Sequence, residues 1–219
     1  MTAPDEPSAH DHSHEHGHAH PPARPDTDDS LTYYKAMEVA VRELLIEKGV
    51  ISADDVRRAI EAMDARSPAQ GARIVARAWA DPAYKTRLLV DPNAAIKELG
   101  IEPGVYRLVV LENTPRVHNL VVCTLCSCYP RGVLGLPPDW YKSRAYRSRA
   151  VREPRAVLRE FGTEIPDHVE VRVHDSTADM RYLVLPERPA GSDGMSESAL
   201  AELVTRDSMI GVARARAPS

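Results

Sequence analysis

The chain has 219 residues, 43% of them hydrophobic, and a formal net charge of −4. It is long enough to bury a core in one or two domains, and it lacks the basic excess that a nucleic-acid partner would require. No run approaches the roughly 20 consecutive apolar residues of a membrane span, and the N-terminus is polar rather than a charged-then-apolar leader, so a cytoplasmic protein is expected.

Residues 1–29 are rich in Pro, Asp, Ser and His with almost no large apolar side chain, so no core offsets the entropy of ordering them, and a disordered tail is expected. Within it His10, His12, His14, His16, His18 and His20 alternate with small or acidic residues. Alternating imidazoles make a weak, exchangeable divalent-metal site. Either a solvated tail with incidental affinity or a holding site for metal fits this pattern.

Residues 30–100 read as a helical arm and a helical layer. Met37, Val41, Leu44 and Leu45 recur at helical spacing before Gly49, and Ser52 with Asp54 and Asp55 marks a capped start for a stripe of Val56, Ile60 and Met63. Ser67-Pro68 opens a third helix, with Ile74, Val75, Ala78 and Trp79 facing inward. Asp81-Pro82 and Asp91-Pro92 open two shorter ones, the second closed by Gly100. Such stripes are core or subunit contact.

From residue 101 to 219 the pattern is mixed. β-Branched runs at 105–111 and 117–122, separated by Asn113-Thr114-Pro115, give a strand, a turn and a second strand that runs directly into Cys123. Pro130, Gly132, Gly135, Pro137 and Pro138 then keep the backbone irregular. Helix returns near Asp139 and again after Pro154. Alternation at Val169, Val171 and Val173, and a run from Met180 to Leu185, give two more strands, and Ser196 caps a last helix through Arg206. The fold class expected is α+β: the helical arm, then a compact domain of a few mixed strands covered by helices. Strand order is not legible.

All three cysteines fall at Cys123, Cys126 and Cys128. A structural zinc site or an iron–sulfur cluster wants about four ligands, which here would need His118 or His174. A Cys126–Cys128 disulfide spans one residue and leaves Cys123 spare. The third reading is one tight turn converging three sulfurs on a metal, with the amides of Ser127 and Cys128 within reach. A deprotonated amide donor calls for a strongly Lewis-acidic ion, and sulfur beside such an ion can be oxidised. His118, His168 and His174 otherwise stand singly. No Gly-x-Ser-x-Gly elbow or phosphate loop is present. The run Lys142, Arg144, Arg147, Arg149, Arg152 and Arg155 is a solvated face or a contact for an acidic partner.

Cys123-Thr124-Leu125-Cys126-Ser127-Cys128 resembles the metal claw of nitrile hydratase alpha subunits and the related thiocyanate hydrolase gamma subunits. The likeness continues through Leu134–Lys142, Arg181–Pro186 and Val204–Gly211. It implies one non-corrin Co(III) per chain, the cobalt rather than the iron type because of Thr124. Cys123 would be a thiolate ligand, Cys126 a sulfinate, Cys128 a sulfenate, and Ser127 and Cys128 amide donors. Cys126, Ser127 and Cys128 would form the catalytic centre, with Tyr129 and Arg131 at the substrate pocket. The implied activity is hydration of a small nitrile to its amide, a lyase reaction. The implied partners are a beta subunit, whole or split into two chains, and a metal-loading accessory protein.

Two departures bear on this. Ile101–Val105 lacks a glutamine common in the family, and Arg131 stands where nitrile hydratases usually carry Trp. Cys128-Tyr129-Pro130-Arg131 and the His-rich N-terminus are similar to the thiocyanate hydrolase gamma form. Thiocyanate hydrolysis is therefore the alternative activity, and a metal carrier or sensor without catalysis is the alternative class.

Overall fold

A computed structural model describes residues 31–218. The expected tail, residues 1–29, lies outside them. Two helices come first, α1 (Tyr33–Glu47), capped by Thr32, and α2 (Ala53–Asp64), started by a reciprocal capping box between Ser52 and Asp55. Neither buries a residue: Met37, Val41, Leu44, Ile60 and Met63 are all exposed, so both apolar stripes lack a partner among the described residues.

Helix α3 (Pro68–Ala80) is the opposite case, with Ile74, Val75 and Ala76 fully buried. It packs against α6 (Arg131–Leu134), α10 (Glu197–Glu202) and α11 (Arg206–Ile210). Gly71 permits that approach, since a Cβ there would meet Leu134 Cδ2 at 2.6 Å and Met209 Sδ at 2.7 Å. Trp79 Nε1 donates to Pro186 O at 2.9 Å, tying α3 to the chain beyond the last strand. Helices α4 (Pro82–Val90) and α5 (Pro92–Lys97) start where the Asp-Pro pairs require: the Asp81 and Asp91 side chains accept from first-turn amides, and Pro occupies the position that needs no donor.

Among the described residues four strands form two parallel pairs. Strand β1 (Arg107–Glu112) pairs with β4 (Met180–Leu185), Leu108 opposite Arg181, and β2 (Val117–Val122) pairs with β3 (Glu170–Asp175), Val122 opposite Asp175. Consecutive β1 and β2 thus do not pair with each other; the chain turns between them, and Thr114 bridges to Val117. Strand β2 is buried along almost its whole length, as a strand covered on both faces should be.

Its two polar residues are satisfied by one network. Asn119 Nδ2 donates to Glu112 O and Asn113 Oδ1, each at 2.9 Å, and Asn119 Oδ1 accepts from His174 Nε2 at 2.9 Å. His118 Nε2 lies 2.7 Å from Gly211 O and must donate, leaving Nδ1 to accept from Asn113 Nδ2 at 3.3 Å. The network joins β1, β2, β3 and the end of α11. Gly211, at φ +88°, is required there, because a Cβ would sit 1.9 Å from Asn119 O.

The remaining helices, α7 (Asp139–Lys142), α8 (Arg144–Arg152) and α9 (Pro154–Glu160), carry an aromatic cluster beneath the end of β2. Trp140 sets its edge against Tyr146 at 5.0 Å and Phe161 at 4.8 Å, and Tyr129 meets Tyr141 at 5.0 Å. Among the described residues no helix is long and apolar enough to cross a membrane.

The α+β class is as expected, and several boundaries differ. Val105 is fully exposed in a bend, so β1 starts at Arg107. A short helix, α6, forms where only irregular chain was expected. The last helix is two, because Thr205 and Ser208 form a second capping box that restarts the chain as α11.

Candidate metal centre

The claw begins where β2 ends. Val121 and Val122 are fully buried, and their carbonyls accept from Tyr146 Oη at 2.6 Å and Ser176 N at 2.7 Å, so the strand delivers Cys123 from a fixed position. Cys123 is buried, Cys126 exposed and Cys128 between, all as free thiols. Their sulfurs lie within 4.8 Å of one another, with Cys123 to Cys126 at 3.7 Å and Cys126 to Cys128 at 3.0 Å.

Ser127 makes the convergence possible. Its φ of +67° is the one positive φ among the described non-glycine residues, a left-handed conformation that costs a residue with a Cβ about 1 kcal/mol. Backbone strain at such a place is maintained only if the surroundings enforce it. They do: Cys126 N donates to Cys123 Sγ at 3.3 Å, Tyr141 Oη to Cys128 O at 2.8 Å, and Arg147 Nη1 to Leu125 O at 3.1 Å. Burial raises the Tyr141 hydroxyl well above its ordinary range, so it stays a donor.

Asp175 anchors the other side. Being opposite Val122 in the β2–β3 register, its carboxylate accepts from Thr124 N at 2.9 Å and Thr124 Oγ1 at 2.5 Å. No residue pattern in the sequence marks Asp175, which only strand pairing brings to the claw. Tyr141, Tyr146 and Arg147 were equally invisible as claw supports.

The thiols are differentiated. Burial pushes Cys123 up, but the amides of Cys126, Cys128 and Leu125 aimed at its sulfur outweigh that and leave it lowered. Cys128 is pushed up to about 12, by burial and then by the neighbouring Cys126 and Cys123 sulfurs, against the opposing charge of Arg181. A sulfur already facing backbone amides is the natural thiolate donor.

This donor set fits a soft-ligand ion bound by three sulfurs. Among the described residues the group of ligating side chains close enough to share an ion is these three cysteines alone. His118 and His174, the histidines a zinc reading needed, are held by Gly211 and Asn119 instead. Neither histidine stands beside the three sulfurs as the fourth ligand of a tetrahedral site.

A pocket of about 250 Å3 opens onto the claw, lined by Tyr106, Cys126, Ser127, Cys128, Tyr129, Arg131 and Arg181. Both sequence-derived pocket residues are there. Arg131 is exposed at the start of α6, whereas Tyr129 is 2% exposed and belongs largely to the core. Tyr106 and Arg181 are additions. A larger cleft of about 600 Å3, lined by Asn113, His118, Pro186, Arg188 and Arg214 among others, lies at the opposite strand ends and contains no such cluster.

A family model described as "Nitrile hydratase, alpha chain" matches residues 32–213. The chain belongs to the nitrile hydratase alpha-chain family. It is 54% identical over 188 residues to the low-molecular weight cobalt-containing nitrile hydratase subunit alpha of Rhodococcus rhodochrous, covering 84% of this chain and 88% of that one. It is 47% identical over 197 residues to the thiocyanate hydrolase subunit gamma of Thiobacillus thioparus, covering 84% and 81%. A solved recombinant thiocyanate hydrolase with partially modified cobalt centres superposes with a TM-score of 0.78 at 46% identity, covering 85% of this chain and 92% of that one.

Proposed function

We propose that this chain is the metal-bearing alpha subunit of a cobalt-dependent nitrile hydratase, adding water across a nitrile to give the amide. The observation that carries the reading is the convergence of Cys123, Cys126 and Cys128 at the end of a buried strand, with a left-handed Ser127 between the last two. Trivalent cobalt, one per chain and not in a corrin, supplies Lewis acidity toward the nitrile when bound. Iron is the less suitable metal, since the claw carries Thr124 and the Rhodococcus rhodochrous relative, at 54% identity, is a cobalt protein, whereas Fe-type nitrile hydratase structures are 42% identical.

The chain's own residues do the rest. Cys123 remains a thiolate, held by the amides directed at it. Cys126 carries two added oxygens as sulfinate and Cys128 one as sulfenate, and Ser127 and Cys128 present their amides inward. Cys128 lines the pocket, and either its oxygen or a water activated at the metal would be the nucleophile for the nitrile carbon. Tyr129 forms the pocket floor and Arg131 its polar rim.

In this reading residues 101–219 form the catalytic domain and residues 30–100 the arm and layer around it. The exposed stripes of α1 and α2 suit a partner beta subunit, whole or divided over two chains. Oxidised sulfurs are anionic acceptors, and arginines of that partner complete their cage, so the isolated chain is inactive. An accessory protein loads the cobalt, in the cytoplasm. Peptide mapping by mass spectrometry tests the reading: oxygen on Cys126 and Cys128 but not Cys123 supports it, and three unmodified cysteines in an active preparation contradict it.

One observation favours the second reading, thiocyanate hydrolysis: Arg131 is an exposed guanidinium beside the claw, suited to an anion.

A further inference from the structure

The pocket over the claw contains a cation that the assignment above leaves without a task. Arg181 projects from β4 beside Cys126, Ser127 and Cys128, and its guanidinium carbon lies 5.1 Å from the centroid of the Tyr106 ring. That ring is itself fixed, because Tyr106 Oη accepts from Gly132 N at 2.9 Å. Gly132 has no room for a side chain, since a Cβ there would meet Pro103 O at 2.0 Å. The guanidinium therefore rests on a ring anchored by a hydrogen bond, which reduces the entropy lost when it binds something.

Its donors are only partly used. Nη1 donates to Met180 O at 3.2 Å, while Nε is buried with no acceptor. A buried donor without a partner is costly, and this one leaves Arg181 with hydrogen-bonding capacity to spare beside the claw. No carboxylate lines the pocket to supply one. Arg131 shares the pocket but is exposed at its rim.

We propose that Arg181 is a positioning residue for the claw, its Tyr106-stacked guanidinium holding the oxygen of an oxidised Cys128 from within the same chain. This rests on the oxidised-cysteine reading above and adds an anion-holding arginine that does not depend on the partner subunit. It divides the two pocket arginines: Arg181 fixes the claw's own anion, and Arg131 meets the incoming substrate. A sulfenate so held is oriented toward the pocket and shielded from reductants.

The test uses the cobalt-loaded complex with its partner subunit and a small thiol reductant. Two equivalents of thiol convert a sulfenate to the Cys128 thiol, a reductant disulfide and water, whereas a sulfinate at Cys126 resists thiols and serves as the internal standard, and cobalt content reports that the claw is still formed. Oxygen on each cysteine is followed by mass spectrometry over time. Arg181→Met is expected to lose the Cys128 oxygen roughly tenfold faster or more than wild type, with Arg181→Lys intermediate and Cys126 unchanged. Tyr106→Leu retains the guanidinium but removes its platform, so it too is expected to be faster, and it decides the matter if Arg181→Met does not assemble. Equal rates in wild type and these variants overturn the proposal while leaving the oxidised claw intact. A wild-type Cys128 with no oxygen at all overturns the oxidised-claw reading and this inference together.

Discussion

Asp175 and Thr124 are joined twice, the carboxylate accepting from the Thr124 amide at 2.9 Å and from its hydroxyl at 2.5 Å. The pair spans 51 positions of sequence and exists because Val122 and Asp175 end paired parallel strands. One end of the claw is thereby fixed to β3 before any metal arrives, and the other to α7 through Tyr141 and the Cys128 carbonyl.

Removing that fixture should loosen the ligand set without removing a ligand. Asp175→Ala is expected to lower cobalt retention by roughly ten- to a hundredfold, the range for partners that orient metal ligands, with Asp175→Asn milder because it preserves one acceptor. Cobalt content after dialysis against a chelator measures this. Full retention in Asp175→Ala would show that the strand end alone positions the claw.

Acid should weaken the fold through two histidines. Burial holds His118 below the ordinary value of 6.5, against the pull of the Gly211 carbonyl, and burial with the Arg172 charge does the same for His174. A histidine lowered in the folded state takes its proton more readily when unfolded. Its contribution is therefore complete above about 6.5 and is lost as pH falls from there through the folded values. The thermal midpoint should fall between about pH 7 and about pH 5, and less steeply in His118→Gln, which retains a donor for Gly211 O. An unchanged slope in that variant would remove His118 from the explanation.

Arg131 decides the substrate if the rim reading is right. A fixed positive charge favours an anion or a polar nitrile, and an aromatic side chain favours an apolar one. Arg131→Trp in the full complex should move kcat/KM toward apolar nitriles relative to polar nitriles and thiocyanate. Wild-type preference for thiocyanate would reverse the ranking of the two activities, and unchanged ratios would make Arg131 only a surface charge.

Much of this was legible in the sequence where the signal is local. The Asp81-Pro82 and Asp91-Pro92 caps, the inward face of α3 and the entry of β2 into Cys123 all follow from neighbouring residues. Boundaries failed where local pattern and burial diverge: Val105 is β-branched yet exposed, and the Thr205 capping box interrupts a stretch that otherwise reads as continuous helix. Pairing of β1 with β4, 73 positions apart, and of β2 with β3, 53 positions apart, is set by contacts that no local periodicity encodes. The same limit hid Asp175 and Arg181. The three claw cysteines were visible because they lie within six residues; the groups that hold the turn came from β3, α7 and α8.

The most direct measurement is nitrile hydration by the assembled complex as a function of bound cobalt. Turnover should be absent in the metal-free complex, rise in proportion to cobalt and level off at about one ion per claw, the capacity of a single three-sulfur site. Amide formation that is independent of cobalt, or a fully loaded complex that hydrates no nitrile, would contradict the assignment of catalysis to the claw.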